Sequence, residues 1–144
     1  MIQSGRLEGK ELMDMQTQSS APNQRLVRVL IVDDVSQVRQ ELSLLLRLSG
    51  EIEVVGQAAN GQEAIEQAAA QRPDVVLMDL EMPGVDGYQA ARQIKSALPA
   101  CRVIAFSVYA YPAARQKACQ AGMDDFIEKG APLGQILQVL TGKN

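Results

Sequence analysis

The chain has no histidine and no tryptophan, and its only cysteines are Cys101 and Cys119. Without histidine there can be no Ser-His-Asp or Cys-His catalysis, no histidine-bearing zinc site and no phosphohistidine on this chain. The cysteines lack CxxC spacing, so they read as inert thiols in a reducing, cytoplasmic setting. Aromatics are scarce too: three Tyr and two Phe are too few for a base-stacking platform. Apolar runs such as Val29-Leu30-Ile31-Val32 fall far short of the ~20 residues of a bilayer span. The N-terminus shows no charged flank leading into an apolar stretch, so neither secretion nor membrane association is expected. Basic charge is short as well: 14 Lys and Arg against 17 Asp and Glu leave −3, no footprint for direct DNA binding.

What remains is an ordinary globular composition, 47% hydrophobic and 22% charged over 144 residues, enough for about one domain. Residues 1–25 are polar and charge-balanced with little to bury, and are expected to form a mobile tail before a domain over 26–144. From there strand-like runs alternate with helical patterns. The strands are Val27–Val32, Ile52–Gly56, Val75–Asp79, Arg102–Ser107 and Asp125–Glu128; the helices span about 36–48, 61–71, 87–98, 112–121 and 133–141. Such alternation predicts an α/β fold, a five-stranded parallel sheet with helices on both faces.

Asn60 with Glu63 forms a capping-box-like start, Pro112 and Pro132 stand at first helical positions, and Gly50 and Gly122 follow helix ends. Val38, Leu42, Leu45, Leu46 and Ser49 trace the expected core face of the first helix. The first, third and fourth strands are continuously apolar, as strands buried on both faces must be. The second carries Glu53 and the fifth Asp125 and Glu128, charges that edges tolerate. This gives the order 2-1-3-4-5, a flavodoxin-like arrangement whose ligand site lies at the strand carboxyl ends, where the order reverses between strands 1 and 3.

Those ends bring together Asp33 and Asp34, Asp79, Ser107 and Lys129. Three clustered carboxylates repel: at ~4 Å and an effective dielectric near 20, each pair costs about 4 kcal/mol. The cluster therefore wants a cation, and an all-oxygen site with room for water suits Mg²⁺. Lys129 can pair with a carboxylate or a phosphoryl oxygen, and Ser107 can donate to another.

These residues resemble a known family. Val29-Leu30-Ile31-Val32-Asp33-Asp34, Val75-Val76-Leu77-Met78-Asp79, Met82-Pro83-Gly84-Val85-Asp86-Gly87, Ser107, and Asp125-Phe126-Ile127-Glu128-Lys129 look, in order, like a response-regulator receiver domain over about residues 26–143. The Ile52 to Ala64 stretch and Lys129-Gly130-Ala131 look most like receivers that precede a helix-turn-helix domain. The resemblance implies Asp79 as phosphoacceptor and Mg²⁺ held by Asp34, by Asp33 through water, by Asp79 and by the backbone carbonyl of Glu81. It further implies Lys129 as the phosphate-pairing lysine, Ser107 as the switch hydroxyl and Phe126 as the switch aromatic. A histidine kinase or phosphotransfer protein would supply the phosphate. Phosphorylation would then change how the fourth helix, fifth strand and fifth helix meet a downstream protein effector or a second copy in a phosphorylation-dependent dimer. Four of the five aromatics (Phe106, Tyr109, Tyr111 and Phe126) fall in or beside that face. The chain would not be an enzyme beyond its own phosphorylation and slow dephosphorylation. Only 15 residues run from Gly130 to Asn144, so a stand-alone receiver, or a fragment of a longer regulator, is expected.

Several positions depart from the family pattern. Gly130 and Ala131 intervene between Lys129 and Pro132, and Phe126 replaces a frequent tyrosine. Val108 is bulkier than the small residue often found there, and with Tyr109 and Glu81 it crowds the water approach, so an altered acyl-phosphate lifetime is expected. Gly84 and Gly87 read as loop glycines that supply backbone freedom. A rival reading, a magnesium-dependent phosphohydrolase, would want a second aspartate two residues after Asp79, where this chain has Glu81. Another is a receiver-like scaffold that binds without phosphorylation; no GxGxxG or GxxxxGK[ST] supports a nucleotide enzyme.

Overall fold

Successive residues of the central strands face opposite sides of the sheet, and this alternation builds two separate apolar layers. In a computed structural model, which describes residues 25–143, the elements are β1 (Val27–Val32), α1 (Ser36–Leu48), β2 (Ile52–Ala58), α2 (Gly61–Gln71), β3 (Val75–Asp79), α3 (Gly87–Ala97), β4 (Arg102–Ser107), α4 (Pro112–Gln120), β5 (Asp125–Glu128) and α5 (Leu133–Thr141). The expected tail over 1–25 falls almost wholly outside the described residues. All pairings are parallel and the order is β2-β1-β3-β4-β5, as expected.

On one face Leu30, Val32, Val76, Met78, Val103 and Ala105 pack against α2, α3 and α4. On the other, Val29, Ile31, Val75, Leu77, Ile104 and Phe106 pack against α1 and α5. The successive apolar residues of β1, β3 and β4 thus serve both faces, while the charges Glu53, Asp125 and Glu128 stay exposed on the outer strands.

Helix punctuation follows the sequence closely. Asn60 Oδ1 accepts from Glu63 N–H at 2.9 Å, and the Glu63 carboxylate reaches back to Ala59 N–H at 2.7 Å. Asp86 caps α3 in the same way through Gln89 N–H. Gly50 and Gly122, at φ of 78° and 89°, follow the helix ends in the left-handed region. Pro112 is the first residue of α4, but Pro132 stands one position earlier than expected, at the N-cap of α5.

Two expectations need correction. The second strand does not stop at Gly56 but runs to Ala58. The β1–β2 register shifts between Val29 and Leu30, so Val54 and Gly56 are consecutive partners and the glycine belongs to an irregularity inside the strand. In α1, Leu42 and Leu46 are buried, but Leu45 is 47% exposed. At about 100° per residue, the buried face is centred between Leu42 and Leu46 and turned toward Arg39 and Ser43. On that side the Arg39 guanidinium donates to the Asp33 carbonyl at 2.6 Å.

Candidate functional site

At the carboxyl edge of the sheet, β1 and β3 end side by side, and their last residues define the site. Val32 pairs with Met78, so Asp33 and Asp79 leave adjacent strands at the same level. One carboxylate oxygen each from Asp33, Asp34 and Asp79 lie within 4.8 Å of one another. Asp33 and Asp79 are buried, while Asp34 faces solvent. Asp33 is held in place by its own loop, its Oδ1 accepting from Val35 N–H at 2.8 Å.

Lys129, delivered by the end of β5, closes the cluster. Its Nζ donates to Asp33 Oδ2 at 2.8 Å and lies 3.5 Å from Asp79 Oδ1. Burial works against the ammonium charge, but the Asp33 hydrogen bond and the Asp79 and Asp33 charges outweigh it, so the Lys129 pKa is raised. For Asp79, burial is the largest influence and raises the pKa. Asp33 and the Glu81 charge add to it, Lys129 and the Glu81 N–H oppose it, and the carboxyl rises from 3.8 to about 6. One ammonium thus stands against three carboxylates, two of them desolvated. The residues fit a hard divalent cation: the donors are all oxygen, they converge, and one of them is open to water.

Ser107 is fully buried at the end of β4. Its hydroxyl donates to Glu81 Oε1 at 2.9 Å and accepts from Tyr109 N–H at 3.0 Å. Glu81 in turn donates its backbone N–H to Asp79 Oδ1 at 3.2 Å. Phe126 is half-buried on β5, with the Arg115 guanidinium 4.6 Å from its ring centroid. Arg115 also donates from Nε to the Ala110 carbonyl at 3.0 Å, tying the ring to the loop that follows Ser107. Val108, Tyr109 and Tyr111 on that loop are each at least 50% exposed.

The predicted residues therefore meet at one rim, with Phe126 and Arg115 to one side. The Glu81 side chain and Arg115 were not assigned these contacts from the sequence, since neither occupies a strand end or a motif position with that role. A groove of about 500 Å³ opens at the other end of the sheet, between Arg72, Asp74, Leu98 and Arg102. It contains none of the acidic cluster.

A model of the response regulator receiver domain matches residues 29–141. The chain belongs to this family. It is 36% identical over 115 residues to Response regulator GacA of Pseudomonas viridiflava, an alignment covering 80% of this chain and 54% of that protein. It is 47% identical over 105 residues to a protein-glutamate methylesterase/protein-glutamine glutaminase of Alkalilimnicola ehrlichii, covering 72% of this chain and 27% of that one. Among solved structures, it superposes on the signal receiver domain of the putative response regulator NarL from Mycobacterium tuberculosis with a TM-score of 0.75. That match has 35% identity and covers 83% of this chain and 99% of the other. The receiver domain thus spans about half or less of the curated relatives it matches, and it places the chain in two-component signalling. No helix among the described residues is long and apolar enough to cross a membrane.

Proposed function

We propose that this chain, through a receiver module over residues 26–144 with residues 1–25 lying outside it, accepts a phosphoryl group on Asp79 from a phosphohistidine donor in the cytoplasm. The carrying observation is the convergence of Asp33, Asp34 and Asp79 on Lys129 at the switch point of the sheet. At pH 7 a carboxyl titrating at about 6 is mostly ionised, so Asp79 is a nucleophile held ready. An Asp79 oxygen bonds to phosphorus as the phosphorus–nitrogen bond of the donor breaks, leaving the electron pair on the imidazole nitrogen. Asp33, Asp34, Asp79 and the backbone carbonyl of Glu81 would hold Mg²⁺, which when bound neutralises charge on the phosphoryl oxygens.

Lys129 then has a second anion within reach and exchanges part of its hold on Asp33 for a phosphoryl oxygen. Ser107 donates to another phosphoryl oxygen, and Phe126 repacks against the space this leaves. The surface of α4, β5 and α5 carries the change to a downstream protein effector, or to a second copy of the chain, without direct DNA binding by this domain. Glu81 stands where a phosphohydrolase would want a second aspartate, and its carboxylate is bonded to Ser107, which argues against steady turnover.

Intact-mass measurement after incubation with acetyl phosphate, with and without Mg²⁺, tests the reading. One added phosphate on the wild type, dependent on Mg²⁺ and absent from Asp79→Ala, is expected. A label that survives the substitution would overturn the assignment of Asp79.

A further inference from the structure

Glu81 is an exposed residue whose carboxylate nevertheless reaches a fully buried hydroxyl. A serine has one proton to donate, and Ser107 gives it to Glu81 Oε1 at 2.9 Å. Its oxygen is anchored from the other side by Tyr109 N–H at 3.0 Å. The bond to Glu81 is charge-assisted, stronger than a neutral pair. Meanwhile the main chain of Glu81 contacts Asp79, so a single residue touches both the acceptor carboxylate and the switch hydroxyl.

We propose that the Glu81 carboxylate is a positioning group that holds Ser107 in the unswitched state and competes with the phosphoryl group for its one proton. This rests on Asp79 being the phosphorylated residue. For Ser107 to donate to a phosphoryl oxygen, the Ser107–Glu81 hydrogen bond must break. The displaced carboxylate has somewhere to go, because Glu81 is exposed and can swing into water without opening a cavity. It is also driven there, since staying would set a carboxylate against a dianionic phosphoryl group. Glu81 therefore sets how far the equilibrium must be pushed before the switch is thrown.

The test is the equilibrium affinity of the full chain for beryllofluoride, a phosphoryl mimic, at saturating Mg²⁺, read by ¹⁹F NMR on wild type, Glu81→Gln and Glu81→Ala. Glu81→Gln keeps an acceptor for Ser107 and removes the charge; Glu81→Ala removes both. Affinity is expected to tighten on the order of tenfold in Glu81→Ala, with Glu81→Gln between it and the wild type. Unchanged or weaker affinities overturn the proposal. So does an equal gain in both variants, which assigns the effect to charge alone. Beryllofluoride that fails to bind the wild type overturns it together with the phosphoacceptor reading, a case the Mg²⁺-dependent mass label on Asp79 identifies separately.

Discussion

Lys129 and Asp33 are 96 positions apart in the chain and meet at 2.8 Å, closer than Lys129 comes to Asp79 at 3.5 Å. The ammonium is thus a resident counter-ion for the acidic cluster, occupying the same electrostatic niche that a divalent cation would fill. Replacing it by an isosteric apolar chain has two opposite consequences. Lys129→Met is expected to lower stability in EDTA by about 2 kcal/mol, because Asp33 and Asp79 lose their partner. It is also expected to tighten Mg²⁺ binding about tenfold, because no competing cation remains. Urea unfolding in EDTA and calorimetric Mg²⁺ titration read the two effects separately; weaker Mg²⁺ binding in the variant would refute the competition.

The Asp79 carboxyl has the opposite sign from a stabilising carboxylate. Its folded pKa, about 6, lies above its ordinary 3.8, chiefly through burial, so the folded chain binds the proton more tightly than the unfolded one. Stability in the absence of metal should therefore fall as pH rises from about 4 to about 6, and the penalty should persist above that. Asp79→Asn removes it. In EDTA at pH 7.5 the variant is expected to be more stable than wild type by about 2 to 3 kcal/mol, with the curves converging near pH 4. Mg²⁺ should stabilise the wild type and leave the variant nearly unaffected. Equal urea midpoints at both pH values would mean that Asp79 is not desolvated as its burial implies.

The parts of this design that were legible in the sequence are those set by periodicity and by strand ends. Apolar runs without alternation marked β1, β3 and β4 as interior strands, and strand order then placed Asp33, Asp34, Asp79, Ser107 and Lys129 on one rim. Contacts set by side-chain direction were not legible. Leu45 reads as core at spacings of three and four, yet the buried face of α1 runs through Leu42, Ser43 and Leu46 and leaves Leu45 exposed. The reach of Glu81 from the loop after β3 to Ser107 at the end of β4 has no sequence pattern. The clamp of Arg115 on Phe126 likewise joins a helix to a strand through a rotamer choice. Gly56 reads as a strand end because glycine punctuates strands, but here it accommodates an irregularity and the strand continues.

Gly87 differs from the loop glycine that its sequence context suggests. Gly84 does use the left-handed region, at φ of 79°, but Gly87 is the first residue of α3 and has no positive φ. Its necessity comes from closeness: a Cβ there would collide with the Asp79 carbonyl oxygen and come within 2.9 Å of Leu80 Cα. The helix therefore starts directly against the backbone of Asp79, the proposed acceptor. Gly87→Ala is expected to cost about 1 to 3 kcal/mol in urea unfolding and to slow phosphorylation of Asp79 by displacing it. Gly84→Asn, where the left-handed conformation is tolerated and no neighbour lies within 4 Å, is expected to leave both nearly unchanged. A Gly87→Ala chain that labels at the wild-type rate would show that this contact does not position the acceptor.

If Asp79 is phosphorylated as proposed, loss of the phosphate requires water to reach the phosphorus, and the loop after β4 starts at Ser107, which is linked to Asp79 through Glu81. Val108 and Tyr109 are 57% and 50% exposed, and Tyr109 is tied to the site through its N–H on Ser107 and to Tyr111 through an edge-to-face ring contact at 6.3 Å. We propose that these two bulky, exposed side chains screen the approach of water to Asp79. Because both side chains are exposed, truncation leaves the core intact, so a change in hydrolysis rate reports access rather than unfolding. Val108→Ala and Tyr109→Ala are each expected to shorten the acyl-phosphate lifetime, by roughly two- to tenfold if opening the entrance admits one better-placed water. The double variant should exceed either single change if both side chains screen the same path. Lifetimes are followed by the decay of the phosphorylated mass after removal of the donor. Decay at the wild-type rate in all three variants would place the barrier to hydrolysis elsewhere, in the alignment of water by groups nearer the phosphorus.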